Sequence, residues 1–389
     1  MSVGRKLSYA LRWLPSHCWQ SVMRRSPRGR VHLILALADH FEPAIVPGQG
    51  AARAPHAEQE RRVERWCKMY PHLVEEWRDN EGRPFVHTYF YPAEQYQRDL
   101  IAQLARHCHR GYGEIEIHLH HGAFEPDTAE NTALMLSQFR NALAFEHGSL
   151  SCFDHDPSPR YAFVHGNFAL ANSNGGRGCG VDSEMQVLAD TGCYADLTLP
   201  TGVFHRAQTA KINSLYECGR PLSQQAPHRR GRNLKKGQAP RVFPLIVQGP
   251  LILSLASGTG RQWSIETGAL TRPNPASLRR LHLWKKAGIT VHGRADWLFI
   301  KLHCHGMDPT QEEAMLGQPM RQFLRELVEG AEERREVLHF VSAREMVNII
   351  LAACDGREGN PGDYRDYRLK PIRTWAESVR SGSGIVLRG

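Results

Sequence analysis

The stretch Glu114-Ile115-Glu116-Ile117-His118-Leu119-His120-His121-Gly122 decides how this chain is read. Polar and apolar residues alternate, then three histidines arrive where a strand should end. Residues two apart on a strand share a face. His118 and His120 therefore point the same way, close enough to hold one metal ion, and imidazole suits zinc and its neighbours. The competing reading is a pair of hydrogen-bonded core histidines beside a turn. The clustering at a strand end favours the metal.

Outward from this segment the chain alternates between two periods. Residues 31–38 read as a buried strand closed by Asp39-His40-Phe41-Glu42-Pro43, and 58–77 as a helix that Pro71 bends or breaks. Strands are expected at 85–91, 114–119, 161–165, 195–199, 297–303 and 338–341. Helices are expected at 93–107, from a cap at 127 or 128 to about 147, from 182 or 183 to near 192, at 311–329, and from 342 or 343 to 353. This alternation predicts an α/β fold with a mostly parallel sheet or barrel. Chemistry in such folds gathers at the C-terminal ends of strands. Asp39-His40, His118-Leu119-His120-His121, His165-Gly166-Asn167 and His303-Cys304-His305 all fall there, which is the main reason to read an enzyme. Residues 1–29 form a basic N-terminal extension, 30–355 the main body, and 356–389 a loosely ordered tail. Residues 205–275 break the rhythm with Pro, Gly and Arg and read as a long irregular insertion with a buried piece at 243–247. Residues 5–25 predict a basic amphipathic helix, with Leu7, Leu11, Leu14, Trp19 and Val22 as its apolar face. It should dock on the core, with a membrane surface as the second option.

The composition sets limits. The chain has 389 residues, 41% hydrophobic and 23% charged, ordinary for a soluble globular protein. No apolar run approaches the ~20 residues that span a bilayer. No clean apolar segment follows Arg5 and Lys6, so a signal peptide is not expected. Nine cysteines are scattered without a CxxC pair, which fits reduced thiols and a cytoplasmic location, peripheral to the membrane if the first helix binds lipid. Much of the net charge of +9 lies in two stretches, Arg24 to Arg30 and Arg220 to Arg241. The second is either a solvated loop or a contact for an anionic partner, a glycan or lipid headgroups. No nucleic-acid-binding motif accompanies it.

Three further groups carry candidate chemistry. Asp39 can complete a site of one carboxylate and two histidines with His118 and His120, or with His121 in the place of His120. Water in the remaining position would be acidified towards ~7 on zinc. The plain alternative for Asp39 is a turn residue. His303 and His305 share a strand face, and one of them can protonate a leaving group. His165 and Asn167 can donate hydrogen bonds to a sugar hydroxyl or an oxyanion. His40 or Asp39 can assist deprotonation.

These motifs resemble the polysaccharide deacetylase (NodB-like) superfamily. The resemblance runs diffusely over residues 31–345. The run 35–41 (LALADHF) is similar to its first motif, His87-Thr88-Tyr89-Phe90 to its T-F-F strand, and 114–121 to its metal-histidine motif. Residues 161–168 stand at its arginine/proline motif. Gly192 to Pro200 resembles the G-Y-x-Y-D-S-S segment of its exopolysaccharide-linked members, which puts Asp196 among the substrate-binding residues. The runs 300–303 and 340–345 resemble its closing motifs. The resemblance implies a distorted (β/α)7 barrel and a divalent metal, zinc foremost, held by one Asp and two His. It also implies removal of acetyl groups from a carbohydrate or sugar-linked substrate. This chain departs from the pattern in three places. One acidic residue stands in the first motif instead of two, the histidines are not spaced i, i+4, and the substrate-clamping arginine is absent. Two other functions fit the residues: a dinuclear-metal phosphoesterase or amidohydrolase on the same barrel, and a non-catalytic protein that binds an anionic glycan or a membrane surface.

Overall fold

The computed structural model describes residues 3–24, 29–50, 52–255 and 263–372. In chain order the first half comprises α1 (Val3–Met23), β1 (Val31–His40), α2 (His56–Val74), β2 (His87–Pro92), α3 (Arg98–His107), β3 (Gly113–Leu119), α4 (Ala129–Asn141), β4 (Ser151–Phe153), β5 (Asp156–His165), α5 (Glu184–Asp190) and β6 (Cys193–Asp196). Next come β7 (Leu215–Cys218), β8 (Gly231–Asn233), β9 (Leu245–Val247), β10 (Ile252–Leu255), β11 (Trp263–Glu266) and α6 (Leu278–Lys286). Last are β12 (Trp297–Cys304), α7 (Glu312–Leu316), α8 (Gln318–Glu329), β13 (Glu336–Phe340), α9 (Ala343–Cys354) and β14 (Leu369–Pro371).

The strands form one large mixed sheet whose main path runs β12-β1-β2-β3-β5-β6-β9-β7-β8. From β12 to β9 every neighbouring pair is parallel; β7 and β8 join antiparallel at the end. β13 pairs the first half of β1, and β2 pairs its second half on the same side. β1 is buried along nearly its whole length, as a central parallel strand must be, and its sequence VHLILALA has no polar face to offer water.

Alternation sorts the strand residues into two cores. Leu33, Leu35, Leu37, Ile115, Ile117 and Phe163 pack beneath Val63, Trp66 and Tyr70 of α2 and Leu100 and Leu104 of α3. Ile34, Ala36, Ala38, Ala162, Val164 and Phe299 face the other way, where Met346, Val347 and Ile350 of α9 close one end. α9 is buried throughout, and its start carries a reciprocal cap: Ser342 accepts from the Glu345 amide while the Glu345 carboxylate accepts from the Ser342 amide.

Three expectations change in the folded chain. The stretch 205–275 is not a wholly irregular insertion, because β7, β8 and β9 within it extend the main sheet. The part of the tail that is described is packed: β14 pairs β4, and Arg365 bonds Asp79 and Glu81. The rest, residues 373–389, lies outside the described residues. α1 does dock, but only part of the expected apolar face takes part: Leu14 packs beside Trp13 against Ile212 and Leu251. Trp13 is buried, its indole N–H donating to the Val203 carbonyl at 3.1 Å, whereas Leu11, Trp19 and Val22 face solvent. Among the described residues no helix is long and apolar enough to cross a membrane.

Candidate metal centre

The ends of β1, β3 and β12 bring His40, Glu42, His118, His120, His303 and His305 together. His118 and His120 share one side of β3, with ring centroids 4.6 Å apart. The His40 ring lies 4.7 Å from that of His118, 4.6 Å from His305 and 6.4 Å from His303. His118 is wholly buried, while His120 and His305 retain part of their surface. The cluster is thus open on one side.

The hydrogen bonds fix which nitrogens are free. His118 Nδ1 lies 2.8 Å from the Val164 carbonyl, so it carries the proton and donates. Its Nε2 is buried and has no hydrogen-bond partner. His120 Nδ1 lies 2.8 Å from Glu94 Oε1, and the same carboxylate accepts the His120 amide at 3.2 Å. Both Nε2 atoms then turn to Glu42 Oε1, at 3.8 Å for His118 and 3.1 Å for His120. Two ligands of a tetrahedral zinc, each ~2.05 Å from the ion, sit roughly 3.3 Å apart. The observed separations bracket that figure. An imidazole whose far nitrogen is held by a carbonyl or carboxylate is the usual support of a metal-binding histidine. The second Glu42 oxygen takes His305 Nδ1 at 2.9 Å.

The electrostatics agree with a cation site. Burial opposes ionisation of Glu42, yet hydrogen bonds from His120 and His305 hold its pKa well below the usual range. Burial, followed by the neighbouring His120, pushes His118 down to about 4, so it is neutral and its lone pair is available. Burial also works against a charged His120, but Glu42 and Glu94 outweigh it and raise the pKa to about 10. Burial holds His40 and His303 well below their ordinary value, as neutral bases; His305 is raised by its bond to Glu42 against its burial.

Several residues singled out from the sequence stand elsewhere. Asp39 does not join His118 and His120. It alternates with His40, so its side chain turns under α2, where it meets His87 Nδ1 at 3.0 Å, the Gly306 amide at 2.6 Å and Cys304. Glu42, two residues past His40, fills the place expected of it. His121 also parts from His118 and His120. It bonds Asp127 and Glu184 and gathers with His165 and Cys179. His165 is wholly buried in that group, so it is not at hand for a substrate in the open cluster. Asn167 donates to the carbonyls of His121 and Gly178, holding two loops together. Asp196 is buried and bonded by Thr198 Oγ1 at 2.7 Å. His303 stands beside His40 with its Nδ1 buried and unpartnered. No cluster of three or more donors among the described residues contains His303 or His305. In the basic stretch, Arg229, Arg232 and Lys236 are engaged by the Ser173 carbonyl, Glu217 and Glu358, while Arg220, Arg230 and Arg241 face solvent.

Glu42 and Glu94 escape a reading of the histidines alone. For Glu42 a signal exists: it has the same parity as His40 at the end of β1. For Glu94, in the turn after β2, the sequence carries none. No protein-family model matches this chain, and no curated protein matches it.

Proposed function

We propose that this protein is a metal-dependent hydrolase in which Glu42, His118 and His120 hold one divalent cation, zinc foremost. One observation carries the reading: two histidines with their Nδ1 atoms tied back by Val164 and Glu94 present Nε2 to a single carboxylate oxygen. Two histidines and a glutamate are a catalytic zinc set, in contrast to closed four-ligand structural sites. When bound, the cation would supply Lewis acidity, polarising a carbonyl and acidifying a water.

The chain's own residues do the rest. His305, partly exposed and bonded to Glu42 Oε2, is placed to carry a proton to a departing amine or alkoxide. His40, neutral and against both His118 and His305, is placed to accept one. The substrate class proposed is an acetylated carbohydrate or sugar-linked molecule, on the resemblance to NodB-like deacetylases. The barrel of that family is proposed with it. Supporting closure, Lys301 Nζ on β12 donates to the Leu197 and Leu199 carbonyls beyond β6, and Gly249 beyond β9 lies so close that a Cβ there would sit 2.5 Å from the Lys301 carbonyl.

The test is acetate release from N- and O-acetylated sugars by protein loaded with zinc, cobalt or manganese. Turnover that disappears in His118→Ala and falls in His305→Gln supports the reading. Turnover indifferent to His118→Ala refutes it. Release of phosphate from phosphoesters, with no acetate released, would move the chemistry to the phosphoesterase class.

A further inference from the structure

A second group of donors lies past the end of β3, turned the other way from the first. His121, His165, Cys179 and Glu184 each place a ligand atom within 4.8 Å of the others, and all four are buried. His121 Nδ1 donates to Asp127 Oδ2 at 2.9 Å, which leaves Nε2 facing Glu184 Oε1 at 2.7 Å. Glu184 is anchored by the Ala171 amide on Oε2. Cys179 Sγ stands 3.6 Å from that oxygen and accepts the Val181 amide at 3.4 Å. His165 Nε2 is buried, has no hydrogen-bond partner, and lies 3.5 Å from Glu184 Oε1.

The backbone is built to bring the sulfur here. Gly122 has φ +59°, and a Cβ on it would lie 1.9 Å from the Cys179 carbonyl. The Gly178 amide bonds the Gly122 carbonyl at 2.8 Å, and the Asp127 amide bonds the Cys179 carbonyl at 2.9 Å. The loop carrying Cys179 is therefore clamped against the segment carrying His121.

The geometry points to a buried structural metal site of the zinc class, with His121 Nε2, His165 Nε2, Cys179 Sγ and a Glu184 oxygen as its four ligands. The charges close: one thiolate and one carboxylate balance a divalent cation, with two neutral imidazoles completing the tetrahedron. Asp127 is the carboxylate behind a ligating histidine. A proton on His121 is the alternative occupant. It satisfies Asp127 and Glu184, and the thiol then donates to Glu184 Oε2 at 3.6 Å, but His165 Nε2 is left buried without a hydrogen-bond partner. A metal satisfies all four. Two adjustments accompany it. The 2.7 Å His121–Glu184 contact opens towards the ~3.3 Å of two zinc ligands. The Asn167 amide, 3.1 Å from His165 Nδ1, gives way as that nitrogen takes up the ring proton. Four protein ligands leave no open position, so this site holds structure and does not turn over substrate. It stands independently of the catalytic centre proposed above.

The experiment is cobalt(II) substitution of the full chain after metal removal. A sulfur-to-cobalt charge-transfer band in the near ultraviolet is expected. It should be lost in Cys179→Ser and kept in Cys304→Ser and in His118→Ala, the last separating this site from the catalytic one. No such band in the parent protein, or a band that survives Cys179→Ser, overturns the proposal. Should Cys179→Ser fail to fold, the parent protein still decides. Alkylation of Cys179, read by mass spectrometry of its peptide, should be at least tenfold faster after metal removal. An equal rate in the loaded and stripped protein refutes the site.

Discussion

Replacing Glu42 by glutamine should weaken metal binding at the open cluster at least a hundredfold while leaving its shape intact. Glu42 is the atom set on which the others converge: Oε1 faces His118 and His120 at 3.8 and 3.1 Å, and Oε2 faces His305 at 2.9 Å. An amide keeps the volume and one carbonyl oxygen but removes the charge. Removing one partner from a buried charge pair costs about 3–5 kcal/mol. At about 1.4 kcal/mol per decade, that is a loss of roughly 10²- to 10⁴-fold in metal affinity. Competition against a chromophoric chelator at neutral pH reads this directly. Thermal unfolding gives a second reading: a saturating ion at one hundred times its Kd stabilises the parent by about 2.7 kcal/mol and should do almost nothing at this site in Glu42→Gln. Asp39→Asn is the control, since Asp39 faces the other core. Affinity of Glu42→Gln within threefold of the parent, or an equal loss in Asp39→Asn, would show that Glu42 is not a metal ligand.

Other outcomes follow from the same contacts. Asp39→Ala should leave metal content unchanged yet cost about 3 kcal/mol, because the Gly306 amide and His87 are left buried without their acceptor; urea unfolding checks it. Metal binding should strengthen nearly tenfold per pH unit from about 6 to 9. The ion must displace the proton that Glu42 and Glu94 hold on His120 up to about 10, whereas a histidine at its ordinary value would flatten the curve above pH 7. His107 is held neutral, down to about 3, first by burial and then by Arg110. Its folded value is depressed, so the stability it contributes is present above about 6.5 and lost as pH falls towards 3, on the order of 5 kcal/mol at most. His107→Gln should flatten the acid limb of stability against pH. Gly122→Ala should cost about 2 kcal/mol or more, through its left-handed backbone and the collision with the Cys179 carbonyl; circular dichroism melts would register it.

Much of the α/β plan is legible in the sequence because parallel strands and amphipathic helices have different periods. VHLILALA reads as a central strand, and EIEIHLHH places its histidines at a strand end; both are so placed. The same alternation also holds the correction to the site. Asp39 and His40 cannot share a face, so Asp39 was never available to His118, while Glu42 was. What stays illegible depends on contacts between distant segments. Glu94 reaches His120 from the preceding turn, and Cys179 reaches His121 only because Gly122 lets two loops touch. The buried face of α1 is likewise chosen by Trp13 finding the Val203 carbonyl, which no helical pattern of leucines reveals.

The most direct measurement is a crystal structure of the metal-loaded protein with data collected on both sides of the zinc absorption edge. An anomalous peak about 2 Å from Glu42, His118 Nε2 and His120 Nε2 is the expected result. With zinc in excess, no peak at that point, the Glu42 carboxylate still bonded directly to His120, would contradict the account.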